Sequence, residues 1–394
     1  MYNVNNFVSA IKAGNPTSIK IKLKNDNGTV IRTLTNNDVT SDGISLTDVF
    51  DGGDTYTFGN TTMRQINVSV LNSNQMVTDI KSSTKGDFEF HVTYDDETDD
   101  YVRFGTYILQ QPKINVMSQT INLVFNDYMS KFNVPADKFL KSVQYPIQFK
   151  YFLYKLCNYV GIDFPFNHYQ QSWLINMRDR MFDGLDFSNN SYSCRDILRL
   201  MAEACGCNAR INSLMSLELK WYELPYNSYT VEEEMQFEYE REQRYYAMSW
   251  SSGSFEGLPW SSADRLPWFM VEGTSSAYSY DFLKVIFADD YTINYPLNIQ
   301  NNPYIIEDNP FLTVSSQQDI DDYIAPLYSR LRSTNIVPYN LNCQGFFLYE
   351  AGDIIPVREG GNTLIFPLFH CVSAWHGGSV DDNYETTGEI NKQL

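Results

Sequence analysis
Residues able to carry chemistry are sparse in this sequence and lie far apart. The four histidines are His91, His168, His370 and His376. His370 and His376 flank Cys371 and Trp375, a spacing that fits no tetrahedral zinc pattern and reads as a strand end. Cys205-Gly206-Cys207 offers two thiols, but it straddles the end of an expected helix, so the thiols face different surroundings and two further ligands are missing. The run Asp95-Asp96-Glu97-Thr98-Asp99-Asp100 clusters carboxylates as calcium prefers, yet it lacks the glycine and spacing of an EF-hand and is expected to be a solvated hairpin tip. There is no GxSxG elbow, HExxH helix, phosphate-cradling glycine loop or GxGxxG turn. With 48 carboxylates present, a close acidic pair of the kind that glycosidases use is inevitable and carries no signal. No catalytic, cofactor-binding or metal-ligating residue is assigned, and no cofactor is expected.

Three tryptophans remain. Trp250, Trp260 and Trp268 lie in SWSSGSFEGLPWSSADRLPWFM, which has too much serine, glycine and proline for a regular element. They either pack a long loop against itself or form an exposed aromatic interface, since tryptophan anchors partners well.

Charge narrows the partners. A net charge of −19 over 394 residues opposes a phosphate grip, so no specific nucleic-acid binding is expected, and it equally opposes an anionic membrane. No apolar run approaches the ~18 residues of a membrane span. MYNVNNFVSAIKAGN lacks the basic start and apolar stretch of a secretory signal, so synthesis in a cytoplasm is expected. Aromatic residues make up 15% of the chain, a usage that suits pleated sheets and large interfaces.

The elements that would position these residues are mostly strands. Ile19, Ile21 and Leu23 alternate with polar residues, and Asn27-Gly28 then signals a hairpin. A loop rich in Asp, Gly and Thr is expected over 35–62. Alternation returns at Ile66–Val70, Phe88–Tyr94, Val102–Phe104, Ile114–Val116 and Ile121–Phe125, enough strands for a small barrel or sandwich over 1–127. The period then changes. Phe149, Phe152, Leu153, Leu156, Cys157 and Val160 keep helical spacing, with Pro146 in the first turn and Gly161 as the stop. Ser193 and Asp196 cap a second helix whose apolar face is Ile197, Leu200, Met201, Ala204 and Cys205, ended by Gly206. A half-buried hairpin follows, with Ala209 and Ile211 on one strand and Leu217, Leu219 and Trp221 on the other. Further on, strands are expected at Phe282–Phe287, Tyr291–Tyr295, Val337–Asn342, Ile354–Val357 and Thr363–Val372. A helix around Ile320–Leu331 should be kinked or split by Pro326. The domains read as a first β unit at 1–127, a mainly helical insertion at 128–204, the start of a second β unit at 205–245, a tryptophan-rich insertion at 246–279 and the rest of the second unit at 280–394.

The order of four short runs resembles the hub proteins of phage tails and baseplates, including the N-terminal hub region of tail-associated proteins. These runs are Phe104-Gly105-Thr106-Tyr107, the stretch from Ser193 through Arg195-Asp196-Ile197-Leu198 to Gly206, Asn309-Pro310-Phe311-Leu312, and Ala351-Gly352-Asp353-Ile354-Ile355-Pro356-Val357. The resemblance covers nearly the whole chain apart from the tryptophan-rich stretch. It implies a mainly β fold with helical insertions (α+β), with two related small β-barrels per chain. Three chains would then form a homotrimer whose six barrels make a pseudo-sixfold ring. Such a hub caps the distal end of the tail tube and adapts sixfold to threefold symmetry in the virion. Its partners would be the tail tube or a distal tail protein above and a tip, spike or lytic protein below. Two other functions fit the resemblance: a tail-associated receptor- or carbohydrate-binding protein, and a wall-degrading tail protein lacking its catalytic region.

Overall fold
Strand alternation at the start of the chain does what its spacing predicts. In β1 (Thr17–Lys24) Ile19, Ile21 and Leu23 are buried and the lysines between them face outward. The Asn25–Thr29 turn leads antiparallel into β2 (Val30–Leu34), with Gly28 at φ +80°, where glycine carries no Cβ penalty. The computed structural model describes residues 15, 17–49, 57–93, 99–110, 112–115, 119–164, 175–187, 191–212, 215–221, 269–273, 280–287, 291–297, 301–333, 339–344, 350–352, 354–359, 362–376 and 379–385.

The expected loop at 35–62 is a correction, because it contains a long strand, β3 (Val39–Val49). Its Thr, Ser, Asp and Gly residues hide the alternation, and a bulge between Val39 and Ile44 breaks the period. β4 (Gln65–Leu71) pairs with β3, and helix α1 (Asn74–Lys81), which the sequence reading omitted, follows with Ser73 as its N-cap. Next come β5 (Lys85–Thr93), β6 (Asp99–Leu109), β7 (Lys113–Asn115) and β8 (Thr120–Asn126). Inward residues of β4, β5 and β8 make the first core, where Phe88 meets Phe125 and Tyr107 edge-on at 5.0 and 5.3 Å.

A 3₁₀ turn (Tyr128–Phe132) and helix α2 (Asp137–Ser142) lead to β9 (Ile147–Gln148) and helix α3 (Phe149–Val160). Pro146 is not in the first helical turn: it precedes β9, and Gln148 is the N-cap. Gly161 ends α3 in the left-handed region as expected. After α4 (Ile175–Arg178) and β10 (Met181–Phe182) comes α5 (Cys194–Ala204), which carries the expected cap in full. Ser193 Oγ accepts from the Asp196 N–H and the Asp196 carboxylate accepts from the Ser193 N–H, a reciprocal box. Four of the five residues expected on its core face, Ile197, Met201, Ala204 and Cys205, are buried, and the buried face is wider on one side than expected. Leu198 and Ala202 are fully buried, and Leu200 is only half-buried.

The hairpin of β11 (Asn208–Ile211) and β12 (Leu217–Lys220) forms where expected, but both of its faces are buried. Beyond it lie β13 (Phe269–Gly273), β14 (Phe282–Ile286), β15 (Thr292–Tyr295) and β16 (Pro303–Glu307). The helix at Pro326 reads through as α6 (Gln317–Asp319), a π turn (Ile320–Ile324) and α7 (Ala325–Ser333). Widening the turn absorbs the missing proline N–H without ending the helix. Strands β17 (Tyr339–Gln344), β18 (Ile354–Glu359), β19 (Asn362–Pro367), β20 (His370–His376) and β21 (Ser379–Glu385) complete the fold, so the run expected at Thr363–Val372 is two strands.

One sheet connects the early and late strands in the order β13-β17-β21-β20-β3-β4-β8-β6-β5-β1-β2, with β7 beside β8. The link is β20, which pairs antiparallel with β3 from His370 opposite Val49 to Trp375 opposite Ile44. No closed barrel appears among the described residues. Helices α2–α5 and α7, the β11–β12 hairpin and the three-stranded sheet β15-β14-β16 share a second core, within which Phe311 contacts Phe149, Phe152, Phe182 and Phe187 at 5.4–6.0 Å. The fold is therefore mainly β with few helices.

Candidate functional site: a buried joint
The four runs that carry the family resemblance meet where the sheet contacts the helical core. The meeting point is built around residues 57–64, between β3 and β4. Gly59 N–H donates to Cys207 O at 2.8 Å, Thr62 N–H to Ala209 O at 3.0 Å, and Ala209 N–H returns to Asn60 O at 2.8 Å. Arg195 and Arg199 of α5 reach the same segment, Arg195 Nε donating to Thr61 Oγ1 at 2.8 Å and Arg199 Nε to Gly59 O at 3.4 Å. Only glycine fits at 59. Its φ is +76°, and a Cβ there would lie 2.8 Å from both Arg199 O and Glu203 Cβ. Phe58 anchors the segment through its ring, 4.4 Å from Trp221, and its N–H, which donates to the Tyr304 hydroxyl at 2.7 Å.

Beneath this seam lies a buried ionic network. Arg64 Nη2 donates to Asp48 Oδ2 at 2.9 Å, and Nη1 lies 3.0 Å from Glu350 Oε1 and 3.4 Å from the Tyr107 hydroxyl. Arg210 Nε lies 2.5 Å from Glu218 Oε2, while its Nη1 donates to Ala351 O at 3.0 Å and approaches Glu350 Oε2 at 3.5 Å. The Ala351 N–H donates to Asp48 Oδ2 at 3.0 Å. These charged side chains are each less than a tenth exposed. Burial opposes the Arg64 charge, but Glu350, Tyr107 and Asp48 outweigh it and hold the guanidinium well above its ordinary value. Burial pushes the Tyr107 phenol up to about 12. It pushes the Asp127 carboxyl up to about 7, even though Asp127 accepts from the Arg64 and Met129 N–H groups at 3.0 Å.

The remaining runs close the joint from the other side. Asn309 Nδ2 donates to Leu200 O and to Glu203 Oε2, each at 2.8 Å. Arg330 Nη1 donates to Cys205 O at 2.9 Å and Gly206 O at 3.0 Å, capping the carbonyls at the end of α5. Gly206 has φ +63°, and a Cβ would press on Leu327 at 2.7 Å.

Chemically, the arrangement holds and orients. Cys205 and Cys207 are buried, and burial first, then its neighbour Cys207, drives the Cys205 thiol well above its ordinary value, away from the reactive thiolate. His91 is buried on β5 between Glu89 and the Tyr101 ring, and His370 stands on β20 opposite Val49. Among the described residues no group of His, Cys, Asp and Glu is arranged to hold a metal, and no helix is long and apolar enough to cross a membrane. Trp250, Trp260 and Trp268 lie outside the described residues, as do His168 and residues 95–98 of the acidic run. Sequence reasoning missed Asp48, Arg64, Asp127, Arg210, Glu218 and Glu350, because charged residues on strands (Asp48, Arg210, Glu218) or just outside them (Arg64, Asp127, Glu350) look solvent-facing until other parts of the chain cover them.

No family model and no curated protein sequence matches this chain. Solved structures do. A tail protein from Neisseria meningitidis MC58 aligns over 94% of this chain and 96% of its own, with TM-score 0.50 and 9% identity. The 43 kDa tail protein of prophage MuSo2 from Shewanella oneidensis aligns over 93% and 97%, with TM-score 0.49 and 9% identity. The chain shares the fold of a tail protein over nearly its full length, and the resemblance to tail proteins read from the sequence holds at the level of the fold.

Proposed function
We propose that this chain is a structural, non-catalytic component of a phage tail, acting as the hub at the distal end of the tail tube. The observation that carries the reading is the near-full-length match of its architecture to a tail protein. The joint supports it, since a buried seam of hydrogen bonds and ion pairs between sheet and helices suits a part that must keep its shape under load. In this reading the protein resides in the virion after synthesis in the host cytoplasm. Three copies associate, each contributing two barrel-like units, to match a sixfold tube to a threefold tip. A tube or distal tail protein binds above, and a tip, spike or lytic protein binds below. A threefold ring is closed by one repeated heterologous contact, in which a patch on each copy meets a different patch on the next. Mass measurement in solution combined with particle images tests the proposal. A threefold ring with a central channel is the expected result, and a persistent monomer with lytic or glycan-binding activity would replace the hub with one of the other two tail functions.

A further inference from the structure
The helical insertion departs from the charge of the rest of the chain. Residues 128–204 hold nine Lys and Arg against seven Asp and Glu, and the remainder holds 20 against 41. The difference is sharpest over 129–161, with five lysines and one carboxylate, Asp137. Two of these lysines are engaged: Lys131 donates to Gly161 O at 2.9 Å, and Lys150 lies 2.5 Å from Asp179 Oδ1. The other three, Lys138 and Lys141 of α2 and Lys155 of α3, are exposed and form no hydrogen bond or ion pair among the described residues. The two helices lie side by side, since the Phe139 ring is 5.3 Å from Phe152 and 5.6 Å from Tyr159. Tyr159, one turn after Lys155, and Val134, just ahead of α2, add exposed apolar surface. The carboxylates on these elements are Asp137 and, just past α3, Asp163, fewer than the lysines beside them.

An opposite patch lies on the same chain. Residues 284–330 hold seven carboxylates against Lys284 and Arg330, and Arg330 is engaged in capping α5. Asp321 and Asp322, exposed on the π turn, accept from the Gln317 and Gln318 amides at 3.1 and 2.9 Å and pair with no cation among the described residues. The π turn sits by the start of α3: Arg180 lies 3.8 Å over the Tyr323 ring, and its carbonyl accepts from the Phe149 N–H at 3.0 Å. Arg180 directs its donors to Phe311 O and Thr313 Oγ1 instead of to Asp321 or Asp322. The lysine face lies toward the other end of α3, so the two patches do not neutralise each other within one chain.

We propose that the lysine face of α2 and α3 on one copy docks on the Asp321–Asp322 turn of the next copy. The inference rests on the homotrimer proposed for this chain, in which a patch on each copy meets a different patch on its neighbour. A chain that exposes unpaired charges of both signs, on patches kept apart by its own fold, is suited to such a head-to-tail contact. At physiological salt the Debye length is roughly 8 Å, so the facing patches outweigh the net charge of −19 on each copy.

Mass photometry of the full chain over a concentration series tests it. Lys138→Glu/Lys141→Glu/Lys155→Glu should weaken the trimer roughly 10-fold or more, because like charges then face each other. Asp321→Lys/Asp322→Lys should weaken it to a similar extent, and combining all five changes should restore most of the association. All five positions are exposed, and thermal melts check that each variant folds. Trimers unaffected by either reversal overturn the inference and leave the hub reading standing. Weakening by each reversal without recovery in the combination also overturns it, since the two faces then do not meet. A native chain that stays monomeric at every concentration removes the hub reading and this contact with it. Oligothymidylate bound by the native chain and not by the lysine variant, with the trimer unchanged, reassigns the face to a polyphosphate.

Discussion

Arg64 is held by acceptors on β3, on β6 and at residue 350, and its removal takes a cation from all three at once. Arg64→Met leaves Asp48 and Glu350 buried without that counter-charge, an arrangement worth about 3–5 kcal/mol of lost stability when one partner of a buried pair is deleted. Urea unfolding measures it, and a loss near that of a surface substitution would show that water reaches the network. Asp127 gives a pH dependence with a definite sign. Its folded value of about 7 is above the ordinary carboxyl range near 4, so the folded state binds its proton more tightly than the unfolded state does. The stability this contributes is fully present below pH ~4 and is lost as pH rises through about 7. Glu203 shifts the same way, also to about 7, by burial that Asn309 and Arg199 only partly offset. Thermal melts should therefore show the melting temperature falling from pH 5 to pH 8, with a shallower fall in Asp127→Asn.

At the scale of the element, α5 shows what periodicity can and cannot supply. Its start, its stop and its capping residues were legible, because Ser193, Asp196 and Gly206 each act through local backbone geometry. Most of its buried face was legible too (Ile197, Met201, Ala204 and Cys205), but not the choice of Leu198 over Leu200, since the two are equally apolar and only the surrounding packing selects between them. Leu198→Asp places an unpaired charge in the second core and should cost several kcal/mol. Arg199→Ala removes one long hydrogen bond to Gly59 O from an exposed side chain and should cost under about 1 kcal/mol. Equal shifts in their denaturation midpoints would mean that the helix is turned from the orientation described. The β11–β12 hairpin teaches a similar lesson. Its existence followed from alternation, but burial of Arg210 and Glu218 depended on residue 350, more than a hundred positions away.

The whole molecule is tied together by β20, whose Ser373 pairs with Leu46 on one side and Asp382 on the other. Ser373→Pro removes a ladder donor from the interior of the long sheet and should lower stability by about 3 kcal/mol or more. Hydrogen exchange is the sharper readout, because amides of β3 should lose protection together with those of β21. Protection lost in β21 alone would mean that the early and late strands unfold independently. By itself the sequence determined the mainly β character, most strands, the caps of α5 and the resemblance to tail proteins, because all of these rest on local spacing or on residue order. The tertiary structure alone decided that 39–49 is a strand, that four separated runs converge on one joint, and that the early and late strands share a sheet. The reason is physical. Strand pairing and charge burial are set by which segments meet, and residues such as Asp48 and Arg64 carry no sign of their partners until the chain has brought Glu350 and Ala351 beside them.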